Sequence, residues 1–221
     1  MAKAGPRSHE NPAGEGPRSA QTRAALIAGA VDALREVGFA RASAREIAGR
    51  AGCNQALVFY HFGSVTDLLL AALDDVSARR MAAYRGLLDH AGSLAEVVES
   101  ARTIFVDDLA AGHVSVLVEM ITGAQGVEGL GEQVAARLAP WRELAETAVR
   151  QSLAASPLAA LLPAREIAHG VVAGFLGLEL LANLDGDPSA ALALFDRVLL
   201  LAGLLDLTGG LGLRAGGETA R

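Results

Sequence analysis

Between residues 43 and 62 the sequence sets polar side chains at the spacing that opens and closes short helices. Ser43 stands three residues before Glu46, a capping box in which each side chain satisfies the other's backbone N–H. The helix it opens runs to about Ala51 and stops at Gly52. Asn54 then caps a second short helix from Gln55 to about His61. Short helix, tight turn and short helix is the geometry that lays a second helix in the DNA major groove. At the start of that helix Gln55 is the residue suited to base reading, because a bidentate pair with adenine N6/N7 discriminates by about 1–3 kcal/mol. Ala56 and Leu57 offer apolar contact to a thymine methyl, and Arg45 reaches a phosphate or base edge. Arg18, Thr22 and Arg23, where the preceding helix begins, suit phosphate; Ser43, Asn54, Tyr60 and His61 complete the set of DNA-facing candidates. Phe59 reads as a core residue, and Cys53 as a small residue of the turn.

The elements that must hold this motif are helical. Apolar positions recur at steps of three and four nearly throughout, and nothing alternates as a strand would, so the fold class is all-α with about nine helices. A first helix is predicted over Ser19–Val37, N-capped by Ser19, with Leu26, Ile27, Ala30 and Leu34 on one face and Gly38 behind it. After the motif, Ser64 caps a long helix to His90. Later helices are predicted at Ser93–Ala111, His113–Ala124, Gly129–Ala154, Pro163–Leu184 and Pro188–Thr208. The organisation expected is a disordered leader (1–17), a three-helix domain carrying the helix-turn-helix (18–63), a larger helical body (64–208) and a flexible Gly-rich tail (209–221).

Net charge is −6 over 221 residues, yet it is divided unevenly. Residues 1–63 carry 8 basic and 5 acidic side chains and the rest 11 and 20, a basic head on an acidic body. No GxSxG, P-loop, HExxH or GxGxxG after a strand is present, and the five His are scattered, so neither an enzyme nor a metal or cofactor site is expected. The single Cys53 excludes an internal disulfide. The polar N-terminus is unlike a signal peptide, and charges interrupt both apolar runs, Ile167–Leu184 and Ala190–Leu207, so a cytoplasmic protein without a membrane span is expected.

Thr22-Arg23, Ala30, Gly38-Phe39, Ser43, Ile47-Ala48, Ala51-Gly52, Phe59-Tyr60-His61-Phe62, Ser64 and Leu68 follow one another without gaps. Through them, residues 22–73 resemble the DNA-binding domain of the tetracycline-repressor (TetR) family. The sequence departs from that family at Phe59, where Tyr is usual, and at Val65, where Lys is usual; both family residues touch phosphate, so two positioning contacts are missing. The resemblance implies a ligand-responsive repressor that binds a palindromic double-stranded operator as a homodimer, through a four-helix bundle of the last two helices and their symmetry mates. Gly170, Gly174 and Gly177, flanked by Phe175 and Leu178, and facing Phe195, Leu199 and Ala202 of the last helix, are the expected dimer residues. The resemblance also implies an effector pocket in the middle helices. Phe105, Met120, Thr122, Gln125, Trp141 and Arg142 are its candidates, for a small and fairly apolar effector. The alternatives are an activator, a regulator answering to a protein partner, or a helical interaction protein that binds no DNA.

Overall fold

A computed structural model describes residues 16–153 and 163–215. Among these residues there are ten α-helices and one 3-10 turn, Phe39–Arg41, and no strand. The helices are α1 Pro17–Val37, α2 Ala44–Arg50, α3 Ala56–Phe62, α4 Val65–Leu88, α5 Leu94–Ala111, α6 His113–Ala124, α7 Leu130–Arg137, α8 Ala139–Leu153, α9 Ala164–Asp185 and α10 Ser189–Ala215. The all-α reading therefore holds.

The boundaries follow local chemistry. Ser43, Ser64 and Ser93 each accept a hydrogen bond from the N–H three residues on, at Glu46, Asp67 and Glu96. Ser19, by contrast, lies inside the first turn. α1 begins at Pro17, whose missing N–H costs nothing there, and Ser19 N–H already donates to the Gly16 carbonyl at 2.8 Å. The single helix expected over Gly129–Ala154 is two. Pro140 has no N–H to continue the ladder, so the chain breaks near Leu138, whose N–H bonds Ala135, and Pro140 takes a first-turn position in α8. α10 continues to Ala215, so the tail expected from Gly209 begins within a helix. The expected leader lies, up to residue 15, outside the described residues, as do 154–162 and 216–221.

One hydrophobic cluster runs from Leu26, Leu34, Ile47 and Val58 through Leu68 and Leu69 of α4 to Met120 of α6 and Leu130 of α7, so the helix-turn-helix shares its core with the body. A second cluster gathers Phe105, Phe175 and Phe195 from α5, α9 and α10, with ring centroids 5.3–6.4 Å apart. The sequence expectation that no stretch could span a membrane needs correcting: α9 is long and apolar enough by length and composition, with a mean hydropathy of 1.6. α9 lies along α8 and carries Glu179 into an ion cluster with Arg80 of α4, while most of its apolar surface stays uncovered within the chain.

The joint between head and body is α6. The Phe39 N–H donates to Glu119 Oε2 at 2.8 Å, and the Arg35 guanidinium donates to the Ala111 carbonyl. The Phe39 ring lies so close over Gly123 that a Cβ there would overlap it. Gly123→Ala is expected to destabilise the protein by about 1–3 kcal/mol in a denaturant melt, as overpacking does. Combining it with Phe39→Ala should recover part of the loss.

Candidate DNA-binding face and ligand pocket

α1 and α2 meet backbone to backbone at Gly29, where an added Cβ would fall 2.9 Å from the Ile47 carbonyl. Arg50 then locks α2 to α1, donating to Glu36 at 2.7 Å and to Glu46 at 2.9 Å. Gly52 turns the chain with φ 64°, a left-handed conformation that favours glycine. Asn54 Oδ1 accepts from the Ala56 N–H at 2.9 Å, so α3 starts one residue later than expected, at Ala56, with Gln55 as its exposed leading residue.

Val58 is buried and Phe62 half-buried, which fixes the outward face of α3. Arg45, Gln55, Ala56, Phe59 and Tyr60 share the exposed surface of the motif, whereas Leu57 is half-buried against the core. Phe59, expected in the core, is 53% exposed and Tyr60 78%, because Val58 already fills the inward position. His61 is half-buried edge-on to Tyr60, with ring centroids 5.0 Å apart. Arg23 lies over the Phe62 ring at 5.0 Å, so it braces α3 as well as presenting charge. Arg18 is exposed in the first turn of α1, and its carbonyl accepts from the Thr22 hydroxyl. Ser43 and Asn54 spend their side chains on caps. The Cys53 thiol is pushed up by burial, which makes it a poor nucleophile.

The body holds a cavity of about 550 Å³ between α4, α5, α6, α8, α9 and α10. Its walls are almost wholly aliphatic and aromatic, with Arg80, Tyr84, Trp141 and Ser152 as the polar exceptions. Trp141 is the one sequence-predicted effector residue on this wall; its indole N–H donates to Ser77 and its ring meets Tyr84 edge-on at 5.4 Å. The others lie elsewhere. Phe105 and Met120 are core residues with no exposed surface, while Thr122, Gln125 and Arg142 point to solvent. Large side chains among small ones marked the core as readily as a pocket. The residues expected at a dimer face divide between the chain's own core and open surface. Phe175, Leu178 and Phe195 pack in the second cluster of their own protomer, Ala202 is buried and Leu199 half-buried. Gly170, Gly174 and Gly177 have open space where a Cβ would stand, and Gly170 and Gly174 border the cavity.

Sequence reasoning missed the charged cluster at one side of the cavity. Arg80 donates to Asp108, to Glu179 Oε1 at 3.3 Å and, through Nε, to the Tyr84 hydroxyl at 3.0 Å. The Tyr84 hydroxyl donates to Asp108 in turn, and His113 Nδ1 stands 2.9 Å from the other Asp108 oxygen. Burial alone would raise Asp108, but the Arg80 hydrogen bond and charge outweigh it and hold the carboxyl below its usual range. Glu179 goes the other way. It has no exposed surface, burial dominates, the attraction of Arg80 is partly cancelled by Asp108, and its pKa is pushed up to about 8. Its Oε2 has no hydrogen-bond partner. The available signal was an acid within the apolar run 167–184, and another, Asp108, on an apolar helix face.

Residues 26–72 match the family profile described as bacterial regulatory proteins, tetR family. The helix-turn-helix segment is thus similar to the DNA-binding part of that family. HTH-type transcriptional regulators of Mycobacterium tuberculosis and Mycobacterium bovis are 31% identical over 115 residues, 52% of this chain. The chain spans 59% of the length of those relatives. Among solved structures, the regulatory protein TetR from Rhodobacter sphaeroides superposes with a TM-score of 0.66 at 18% identity, over 80% of this chain and 96% of that one. FadR from Bacillus subtilis, solved with stearoyl-CoA, gives 0.69 at 14% identity over 81% and 96%. These likenesses show that the fold around the tetR-family domain is also shared.

The raised Glu179 has a measurable consequence. From pH 4.5, its ordinary value, to about 8 the folded chain holds a proton that the unfolded chain has released, so this group makes stability fall as pH rises through that window. Glu179→Gln removes the titration. Thermal melts from pH 5 to 8 should show a flatter decline for the variant than for the wild type, and the larger gain for the variant at pH 8.

Proposed function

We propose that this chain is a DNA-binding transcriptional regulator that acts in the cytoplasm as a homodimer on a near-palindromic operator and releases DNA when a small apolar ligand occupies the cavity. The observation that carries the reading is the tetR-family helix-turn-helix with Arg45, Gln55, Ala56, Phe59 and Tyr60 on one exposed face. Two such faces read a palindrome when a two-fold axis sets them about 34–36 Å apart, one helical turn of DNA. Leu181 and Leu184 of α9 and Leu200, Leu201 and Leu204 of α10, each more than half exposed, supply an apolar surface of the kind that marks a subunit interface. Repression is the reading favoured for the sign of control, and catalysis forms no part of it.

The route from ligand to DNA follows α6. Leu117 of α6 lines the cavity, His113 at its start touches Asp108, and Glu119 holds the Phe39 N–H beside the DNA-binding domain. A ligand that prefers one position of α6 biases the separation of the two recognition helices by its difference in affinity for the two states. The stearoyl-CoA bound to FadR shows that a protein of this fold takes a ligand with a long apolar chain, and the apolar wall here suits such a chain.

Binding-site selection with the purified chain at two salt concentrations tests the reading. A palindrome should be enriched, with affinity falling steeply in salt. No enrichment at low salt would overturn it. Gln55→Ala should relax the preference at one base position of each half-site, and Arg45→Ala should weaken all sequences alike if its contact is to phosphate. For the dimer, Leu201→Asp with Leu204→Asp should give a monomer in sedimentation at low micromolar concentration and weaken operator binding by at least an order of magnitude.

A further inference from the structure

The polar residues of the cavity wall are Arg80, Tyr84, Trp141 and Ser152, and at Arg80 the hydrogen bonding is incomplete. Arg80 Nε and Nη2 are engaged with Tyr84, Asp108 and Glu179, whereas Nη1 has no hydrogen-bond partner among the described residues. Glu179 stands 3.3 Å behind Arg80, one residue beyond Leu178 of the cavity wall. Its Oε1 accepts from Arg80 and its carboxyl also meets Asp108, so a proton on this acid is held within the cluster and does not face the cavity. The Tyr84 hydroxyl and Trp141 N–H are already spent on Asp108 and Ser77. Among the described residues, Arg80 Nη1 is therefore the donor left open at this end of the cavity.

We infer that this end is a subsite for an uncharged acceptor oxygen, the carbonyl of an ester, ketone or amide carried on an elongated apolar molecule. The inference rests on the proposal that the cavity is the ligand site and adds the class of ligand. Charge balance decides between the possible head groups. With Glu179 protonated, Arg80 and Asp108 form a pair of no net charge. A carboxylate at Nη1 would set two anions around one cation in a site with little water, and an ammonium would face the guanidinium directly. A carbonyl accepts from Arg80 without disturbing the pair. The groups facing Glu179 are Arg80 and Tyr84 of α4, Asp108 of α5 and, through Asp108, His113 of α6.

Trp141 is the only Trp in the chain and lies on the cavity wall, so its fluorescence reports occupancy. The full chain would be titrated at pH 7 with methyl octanoate, octanoate, octylammonium and octane. Methyl octanoate should bind at least about tenfold tighter than octane, as a hydrogen bond to a charged donor allows, and tighter than either ion. Its advantage over octane should shrink above pH 8, where ionised Glu179 competes for Arg80. In Glu179→Gln, which keeps a donor and cannot ionise, the advantage should persist at pH 9. Arg80→Met should abolish it; if that variant does not fold, the wild-type ranking and Glu179→Gln decide. Tightest binding by octanoate or octylammonium overturns the inference, as does an unchanged ester advantage at pH 9 in the wild type. Equal binding of octane and ester also overturns it, while leaving the cavity as a ligand site. No response of Trp141 to any of the four overturns it together with the ligand half of the proposed function, and operator selection then judges the DNA-binding half separately.

Discussion

Arg80 ties together the helices of the body. From α4 its guanidinium reaches Asp108 of α5 and Glu179 of α9, while its plane lies over the rings of Tyr84 and Trp141 at 5.6 and 5.2 Å. His113 joins through Asp108, so four helices and, by the Trp141 ring, a fifth converge on one cation. Burying a charge is costly unless it is paired and hydrogen-bonded, and removing one partner of a buried pair typically costs about 3–5 kcal/mol because the other is orphaned. The cluster therefore contributes less through its net attraction than through what it forbids. Any packing of α4, α5 or α9 that separates Arg80 from Asp108 leaves a buried ion alone. The aliphatic wall around the cavity has no such selectivity, since Leu and Val surfaces slide past one another at little cost. Arg80 is what keeps an apolar bundle with a hole in it from collapsing or shifting register.

The head depends on a different constraint, continuity of packing. Leu26 and Leu34 of α1, Ile47 of α2 and Val58 of α3 share one cluster with Leu68 of α4 and Met120 of α6. A segment of 46 residues would bury too little to hold a short helix-turn-helix rigid by itself. The body supplies the remaining surface and two polar anchors, Glu119 of α6 on the Phe39 N–H and, at the end of α5, the Ala111 carbonyl on Arg35. Positional coupling between the body and the DNA-binding face thus follows from the way the head is stabilised. Displacing α6 moves atoms that are part of the head's own core.

Much of this was readable from the sequence, and the pattern of what was not has a physical reason. Caps are local, so Ser43, Ser64 and Ser93 marked helix starts correctly. Ser19 failed because Pro17 two residues earlier starts a helix better, and Gly129–Ala154 failed because Pro140 falls where a continuous helix would need its N–H. Phe59 was placed in the core on residue type, but three residues of a short helix compete for one inward position and Val58 holds it. The pocket was the least legible feature. Its polar end is assembled from Arg80, Asp108 and Glu179, 28 and 71 positions apart along the chain, and no local spacing records that they meet. Large residues such as Phe105 and Met120 are chosen by a core as readily as by a ligand site, and their type does not distinguish the two.

The glycines of α9 leave open space beside the helix. Gly170 and Gly174 are exposed and border the cavity, and Gly177 has the same room where a Cβ would stand. Each costs about 0.5–1 kcal/mol in helix propensity against alanine, so the space beside them is kept open at a cost to the helix. On the same helix Leu181 and Leu184 project to solvent, at the surface proposed for the dimer. Gly170, Gly174, Leu181 and Leu184 follow one another at steps of four, seven and three residues, so the glycines that border the cavity and the exposed leucines share one side of α9. Under the proposed function, a ligand pressing on α9 would act on the subunit axis, and one pressing on α6 would act on the helix-turn-helix domain. In the proposed two-fold dimer both effects would set the separation of the recognition helices.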